Sequence, residues 1–291
     1  MTRRLAALEL HGPRISRGTG AFTLLELLVV TAIIGILATL SMSGLGAAKQ
    51  QAHGITCMNN QKQLTLGWLL YIDDHEDWLP YNYGAADTRA TVAAGTYKNW
   101  VNNVMTWETE PENTNTVLTL TGGIGPYMSG VPQVYRCPSD RVVSDVQAQV
   151  GWYHRVRSMS MNAALGYAGG FSQGGTNINI PHYKQFFKAS EIPDPSNIFV
   201  FIEEHPDSIN DGYFLDRPGT PEWVDLPASY HRRGANISFA DGHNEFKRWQ
   251  SSGTLHPARP DGAPLPFAIP ADDRADFNWL MRRMSVYYNP K

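Results

Sequence analysis

Cysteine is nearly absent from this chain: 291 residues carry two, Cys57 and Cys137. Standing 80 residues apart, they carry no zinc signature, which needs closely spaced ligand pairs. In an oxidising compartment such a lone pair is a candidate disulfide, Cys57 to Cys137, and two buried thiols are the alternative. Enzyme motifs are missing too. No Gly-x-Ser-x-Gly elbow, His-Glu-x-x-His pair or Gly-rich phosphate loop occurs. The nearest titratable constellation is Glu203-Glu204-His205, where paired carboxylates beside an imidazole suit acid/base work or a metal, though solvated charges at a strand end are the commoner case. The expectation is therefore a protein that is not an enzyme, with no catalytic residue. Nothing repeats internally. An excess of positive charge is also lacking: 24 basic residues face 27 acidic ones, which argues against a nucleic-acid partner held by a general basic surface.

One apolar run of membrane-spanning length is present, residues 20–40, and it contains a single carboxylate, Glu26. A charge inside such a segment costs a few kcal/mol or more, so Glu26 needs a partner. A secretory signal peptide has a shorter apolar region with a small-x-small exit, and a plain signal anchor leaves Glu26 unexplained. Upstream, Arg3, Arg4, Arg14 and Arg17 outweigh Glu9, and basic residues stay on the cytoplasmic side. Without residues 1–21 the totals become 20 basic and 26 acidic, about minus six.

Ala21-Phe22-Thr23-Leu24-Leu25-Glu26, followed by the apolar run, resembles the N-terminus of type IV prepilins and type II secretion pseudopilins. The resemblance implies a cut between Ala21 and Phe22 by a prepilin peptidase, then N-methylation. Ala21 stands where the family usually has Gly, and Gly20 lies one place earlier, so a cut after Gly20 is the other register. It further implies that the freed amine of Phe22 pairs with Glu26, that the helix packs with those of other pilin-like subunits, and that the chain sits in the inner membrane as a single pass, its N-terminus cytoplasmic and its head periplasmic or extracellular.

The expected organisation is a leader (1–21), a transmembrane and assembly helix (22–45), a stem helix (46–78) and a head (79–291). Leu64, Trp68 and Tyr71 recur at spacings of four and three, so the helix continues to about residue 71, where residues 73–77, Asp-Asp-His-Glu-Asp, end it. Residues 81–130, rich in Thr, Asn and Gly, read as a long surface excursion with a few short elements. Trp100 and Trp107 within it either roof the core or stack on sugar rings.

Residues 197–203 read as a central strand, and 213–215 as a short neighbour. Residues 235–240 and 243–249 read as a hairpin, with a two-residue type I′ turn at Asp241-Gly242 that sets Phe239 opposite Asn244. Residues 272–288 read as a terminal helix with Phe277, Leu280, Met281 and Met284 inward. The fold class is α+β and pilin-like: a long N-terminal helix on an antiparallel β-sheet head with long loops.

The head resembles a prepilin-like family with an H-x9-DG signature, here His231, Asp241 and Gly242. Cys137-Pro138-Ser139-Asp140, Ser160-Met161-Asn162 and Glu203 fall where that family carries similar short motifs. Ten residues of extended strand span about 33 Å, so His231 and Asp241 are expected to act separately and structurally. Because major pseudopilins commonly hold calcium in a head loop, the weak candidates Asp207, Asp211 and Asp216 are kept for that ion alone. Their loop fails the EF-hand pattern at Ile209 and Pro218. No other cofactor is expected. The function these readings imply is a pilin-like or pseudopilin-like structural subunit of a type II secretion or type IV pilus-like system. The alternative is a membrane-anchored protein that binds an extracytoplasmic polysaccharide or other ligand.

Overall fold

The computed structural model describes residues 22–260, 262 and 265–288, and only the backbone of residues 40–45 and 47. The expected leader, with Ala21, lies outside the described residues. The chain falls into two compact units that divide between Ala47 and Ala48.

Helix α1, Leu24–Asp74, runs through both. In the first unit every described side chain of residues 22–39 is exposed. Among the described residues no helix is long and apolar enough to cross a membrane. Of the spanning segment expected at 22–45, the side chains of residues 40–45 lie outside the described residues.

In the second unit, Cys57, Gln61, Leu64, Thr65, Trp68, Tyr71 and Ile72 of α1 are buried. Their spacing, with steps of three, four and one, forms a stripe on one side of a 3.6-residue helix, which is why this stretch packs as a helix on the sheet. The helix ends as its acidic tail predicts: the Asp77 N–H donates to the Ile72 carbonyl at 3.0 Å, with Glu76 and Asp77 at φ 53° and 74°.

Short elements follow: α2 (Ala85–Ala93), α3 (Thr116–Leu120) and α4 (Asp145–Gln149), then β1 (Met159–Asn162), β2 (Ser172–Gln173), β3 (Thr176–Asn177), β4 (Ile180–Lys184), β5 (Phe199–Glu203), β6 (Tyr213–Phe214), β7 (Glu222–Trp223), β8 (Gly234–Phe239), β9 (Asn244–Arg248), β10 (Phe267–Ala268) and α5 (Ala275–Met281). The main sheet has the order β6-β1-β5-β8-β9, antiparallel except for the parallel pair β1·β6. β5 is central, as its continuous apolar run predicts. β6 neighbours β1 rather than β5, whose two edges are taken by β1 and β8.

Two cores sandwich this sheet. On one side Leu64, Trp68 and Tyr71 of α1 meet Met159, Met161, Val200 and Phe201. On the other, Phe199, Ile202, Ile237 and Phe239 meet Phe277, Leu280 and Met284. The apolar positions of the last helix therefore face inward as expected, although α5 stops at Met281 instead of running to residue 288.

β5 slips register against β8 between Phe199 and Ile202. The irregularity takes Phe201 out of the ladder: its N–H donates to Ser238 Oγ at 3.1 Å, and its carbonyl accepts from Gln61 Nε2 at 3.0 Å. The same amide also donates to the Asn236 carbonyl at 3.0 Å, so one side chain of α1 satisfies carbonyls on two strands.

The hairpin register differs from the sequence reading. Ser238 pairs with Asn244 and Ile237 with Glu245, which leaves a three-residue loop of Ala240, Asp241 and Gly242. Gly242 has φ 93° and Asp241 does not share the positive region, so the turn is not type I′. Three-residue loops commonly close in this way, with the glycine third. The excursion after α1 also departs from a surface loop: residues 99–105 are buried, and Trp100 Nε1 donates to the Gly212 carbonyl at 3.0 Å.

Candidate functional site

Two groups of residues carry chemistry. The first is the start of α1. Thr23 and Glu26 cap it reciprocally: the Glu26 N–H donates to Thr23 Oγ1 at 3.2 Å, while the Thr23 N–H and hydroxyl donate to Glu26 Oε2 at 2.9 and 2.8 Å. This capping box was legible as Thr-x-x-Glu before an apolar run. It gives Glu26 a local duty besides any pairing with an amine at Phe22. Phe22, Leu24 and Leu25 stand 70, 82 and 70 % exposed beside it.

The second group lies inside the head and joins residues distant in sequence. Cys57 comes from the buried stripe of α1, Cys137 from the Cys-Pro-Ser-Asp turn, Glu203 from the end of β5, and His231 from the turn before β8. One ligand atom from each lies within 4.8 Å of all the others, and all four residues are buried. Cys57 Sγ donates to Glu203 Oε1 at 2.6 Å; His231 Nε2 stands 3.1 Å from both Glu203 Oε1 and Cys137 Sγ.

A second layer fixes these groups. The Asn236 N–H donates to Glu203 Oε2 at 2.5 Å and the Ser139 N–H to Cys137 Sγ at 3.4 Å. Ser158 Oγ accepts from the Cys137 N–H at 3.2 Å and donates to Asp140 at 2.8 Å. Burial pushes the Cys57 thiol well above its ordinary range, with Cys137 and Glu203 adding to the shift. Burial alone lowers the His231 imidazole, yet its bonds to Cys137 and Glu203 outweigh that and push it up to about 10.

The sequence leaves a disulfide and two buried thiols open, and the structure has the buried thiols. The two cysteines do come together, but both are free thiols, Cys57 turned to Glu203 and Cys137 to His231. Asp241 is elsewhere: on the exposed hairpin loop, accepting from His243 Nδ1 at 2.6 Å. The Ser160-Met161-Asn162 motif ties other parts of the head together. The Ser160 hydroxyl accepts from Arg157 at 2.9 Å, and Asn162 donates to the Phe199 and Met284 carbonyls at 2.9 and 2.8 Å.

Glu203, Glu204 and His205 do not act as one constellation. Strand alternation sends Glu204 to the other side, where burial pushes its carboxyl up to about 8. His205 lies against the His256 carbonyl at 3.1 Å. The calcium candidates are likewise dispersed: Asp207 accepts from the Arg259 N–H, Asp211 from Tyr213, and Asp216 from Val224. Among the described residues the only cluster of three or more His, Cys, Asp or Glu fit for a metal ion is the one around His231. Trp100, on which a sugar-stacking reading leaned, is fully buried, and Trp107 lies under the Arg155 guanidinium at 4.0 Å.

Residues 16–42 match the family model described as the prokaryotic N-terminal methylation motif. This is a type IV prepilin-like N-terminus. The prepilin-like motif spans Phe22, Thr23 and Glu26, and it implies processing by prepilin peptidase and assembly with other pilin-like subunits. Comparison with curated proteins and with solved structures finds no match to either.

Proposed function

We propose that this protein is a pilin-like or pseudopilin-like structural subunit, cut before Phe22, methylated there, and anchored and assembled through α1. The observation that carries the reading is the coincidence of the methylation-motif match with an apolar helix start whose described side chains are all exposed. A contiguous apolar surface of that extent needs a cover, and lipid or the same helix of a neighbouring subunit supplies one. Glu26 then has two duties in sequence. Before cleavage it caps α1 through Thr23; after cleavage its carboxylate also meets the new amine of Phe22, in its own chain or a neighbour's.

N-terminal mass spectrometry of the chain produced with an active prepilin peptidase tests this reading. The expected N-terminus is Phe22 carrying one added methyl group. A mature N-terminus within the head, or a chain still beginning at Met1, would overturn it.

A further inference from the structure

We propose that Cys57, Cys137, Glu203 and His231 form a structural zinc site that clamps the Cys57 turn of α1 to the head sheet. Two sulfurs, one imidazole nitrogen and one carboxylate oxygen are a tetrahedral donor set suited to zinc, and soft thiolates disfavour calcium or magnesium. Zinc–ligand lengths of about 2.0–2.3 Å place neighbouring donors about 3.3–3.8 Å apart. The observed donors lie within 4.8 Å of one another, with His231 Nε2 at 3.1 Å from two of them. To complete the tetrahedron the Cys57 Sγ–Glu203 Oε1 pair, at 2.6 Å, has to open by about 1 Å and donors near the 4.8 Å limit have to close by about as much, movements that side-chain rotations supply.

The surroundings fit the same ion. Ligands in metal sites are oriented by outer hydrogen bonds, and here backbone N–H groups of Ser139 and Asn236 donate to Cys137 Sγ and Glu203 Oε2. Binding would release both thiol protons and the Nε2 proton of the His231 imidazolium, leaving a neutral imidazole, so Zn²⁺ with two thiolates and a carboxylate carries a net charge of about minus one. Those N–H donors face that charge. A small cavity of about 150 Å³, lined in part by Gly54, Met58, His231 and Asn236, opens beside the imidazole and gives the ion a way in. All four positions of the tetrahedron are protein ligands and all are buried, which is the closed form of a structural site. A zinc ion there would link four segments of the chain that only tertiary folding brings together.

The test uses the full chain, purified in detergent with reductant present. Metal analysis should find about one zinc per chain. EDTA should remove it with a fall in unfolding temperature that added zinc reverses. Exchange with cobalt(II) should give the visible absorption of a tetrahedral, thiolate-bound ion, a readout that needs no variant. Cys137→Ser and His231→Ala should each lose the zinc, while His231→Cys, which substitutes one good ligand for another, should retain it. Zinc below about one-tenth per chain with both thiols free would reduce the cluster to a hydrogen-bonded one and overturn the proposal. A Cys57–Cys137 cross-linked peptide in protein whose free thiols were alkylated in intact cells, before lysis, would also overturn it. Neither result touches processing at Phe22, which is read independently by the N-terminal mass.

Discussion

At the scale of single residues, Glu26 separates local structure from assembly. Its carboxylate both closes the capping box with Thr23 and offers a negative charge to the amine expected at Phe22. Glu26→Gln keeps an acceptor for the Thr23 N–H but removes the charge, whereas Thr23→Ala removes the hydroxyl and keeps the charge. If charge pairing drives registered addition, Glu26→Gln should abolish cross-linkable oligomers while Thr23→Ala leaves them nearly intact. Equal loss in both variants would assign Glu26 to the cap alone. The buried Asp211 gives a second measurement. Burial pushes its carboxyl up to about 6 from 3.8, against the Tyr213 N–H and Arg157, which pull it down. Between those values the folded state holds a proton that the unfolded state has lost, so Asp211 makes stability fall as pH rises from about 4 to 6, by up to about 1.4 kcal/mol per unit. Asp211→Asn should flatten urea-derived stability in that window whatever it does to the absolute value; an unchanged slope would contradict the assignment. The residues of the N-terminus were readable because their meaning is local, a short string before an apolar run. Cys57, Cys137 and His231 were visible as oddities but their meeting was not, since no spacing rule links positions joined only by the packing of a helix on a sheet.

At the scale of elements, the central strand and the hairpin were legible from apolar runs and the Asp-Gly pair, but loop length was not. Asp-Gly favours a two-residue turn, and adding Ala240 to the loop moves every cross-strand partner by one. What decides between them is tertiary. With Ile237 and Phe239 facing one core, Asn236 and Ser238 turn toward α1, where Gln61 bonds the Asn236 carbonyl and Ser238 bonds the Phe201 N–H. Gln61→Leu fills the same space without the donors and leaves two buried carbonyls unsatisfied. It should cost about 2–4 kcal/mol in urea unfolding; a loss under about 0.5 kcal/mol would mean that water takes over the role. Gly242 sits at φ 93°, and a Cβ there meets Leu69 at 3.3 Å. Gly242→Val should therefore destabilise by about 1–3 kcal/mol, the usual cost of a strained backbone, and an effect near zero would exclude the observed turn.

At the scale of the whole chain, the division between Ala47 and Ala48 matters more than the boundary that composition suggests at the end of the stem. The buried core clusters draw their members from residues 57–284, and none comes from the exposed apolar stretch of residues 22–39. The stripe of Leu64, Trp68 and Tyr71 marks residues 46–78 as a stem that packs on the head; it does not reveal that Gln61 joins them, bonding carbonyls on two strands. Two truncations follow with opposite outcomes. A chain beginning at Ala48 keeps every buried member of those clusters and loses the exposed apolar side chains of residues 22–39, so it should be soluble without detergent and unfold in one cooperative transition. A chain beginning at Trp78 removes Leu64, Trp68, Tyr71 and Ile72 from beneath the sheet. Each buried large apolar side chain contributes about 1.5–3 kcal/mol, so their joint removal exceeds the usual net stability of a domain at the low end. That shorter chain should fail to fold, read as the absence of a near-ultraviolet circular dichroism signal. A cooperative, native-like transition in the chain beginning at Trp78 would show that the second half of α1 is an accessory to the head, and loss of folding in the chain beginning at Ala48 would show that residues 22–47 are part of it.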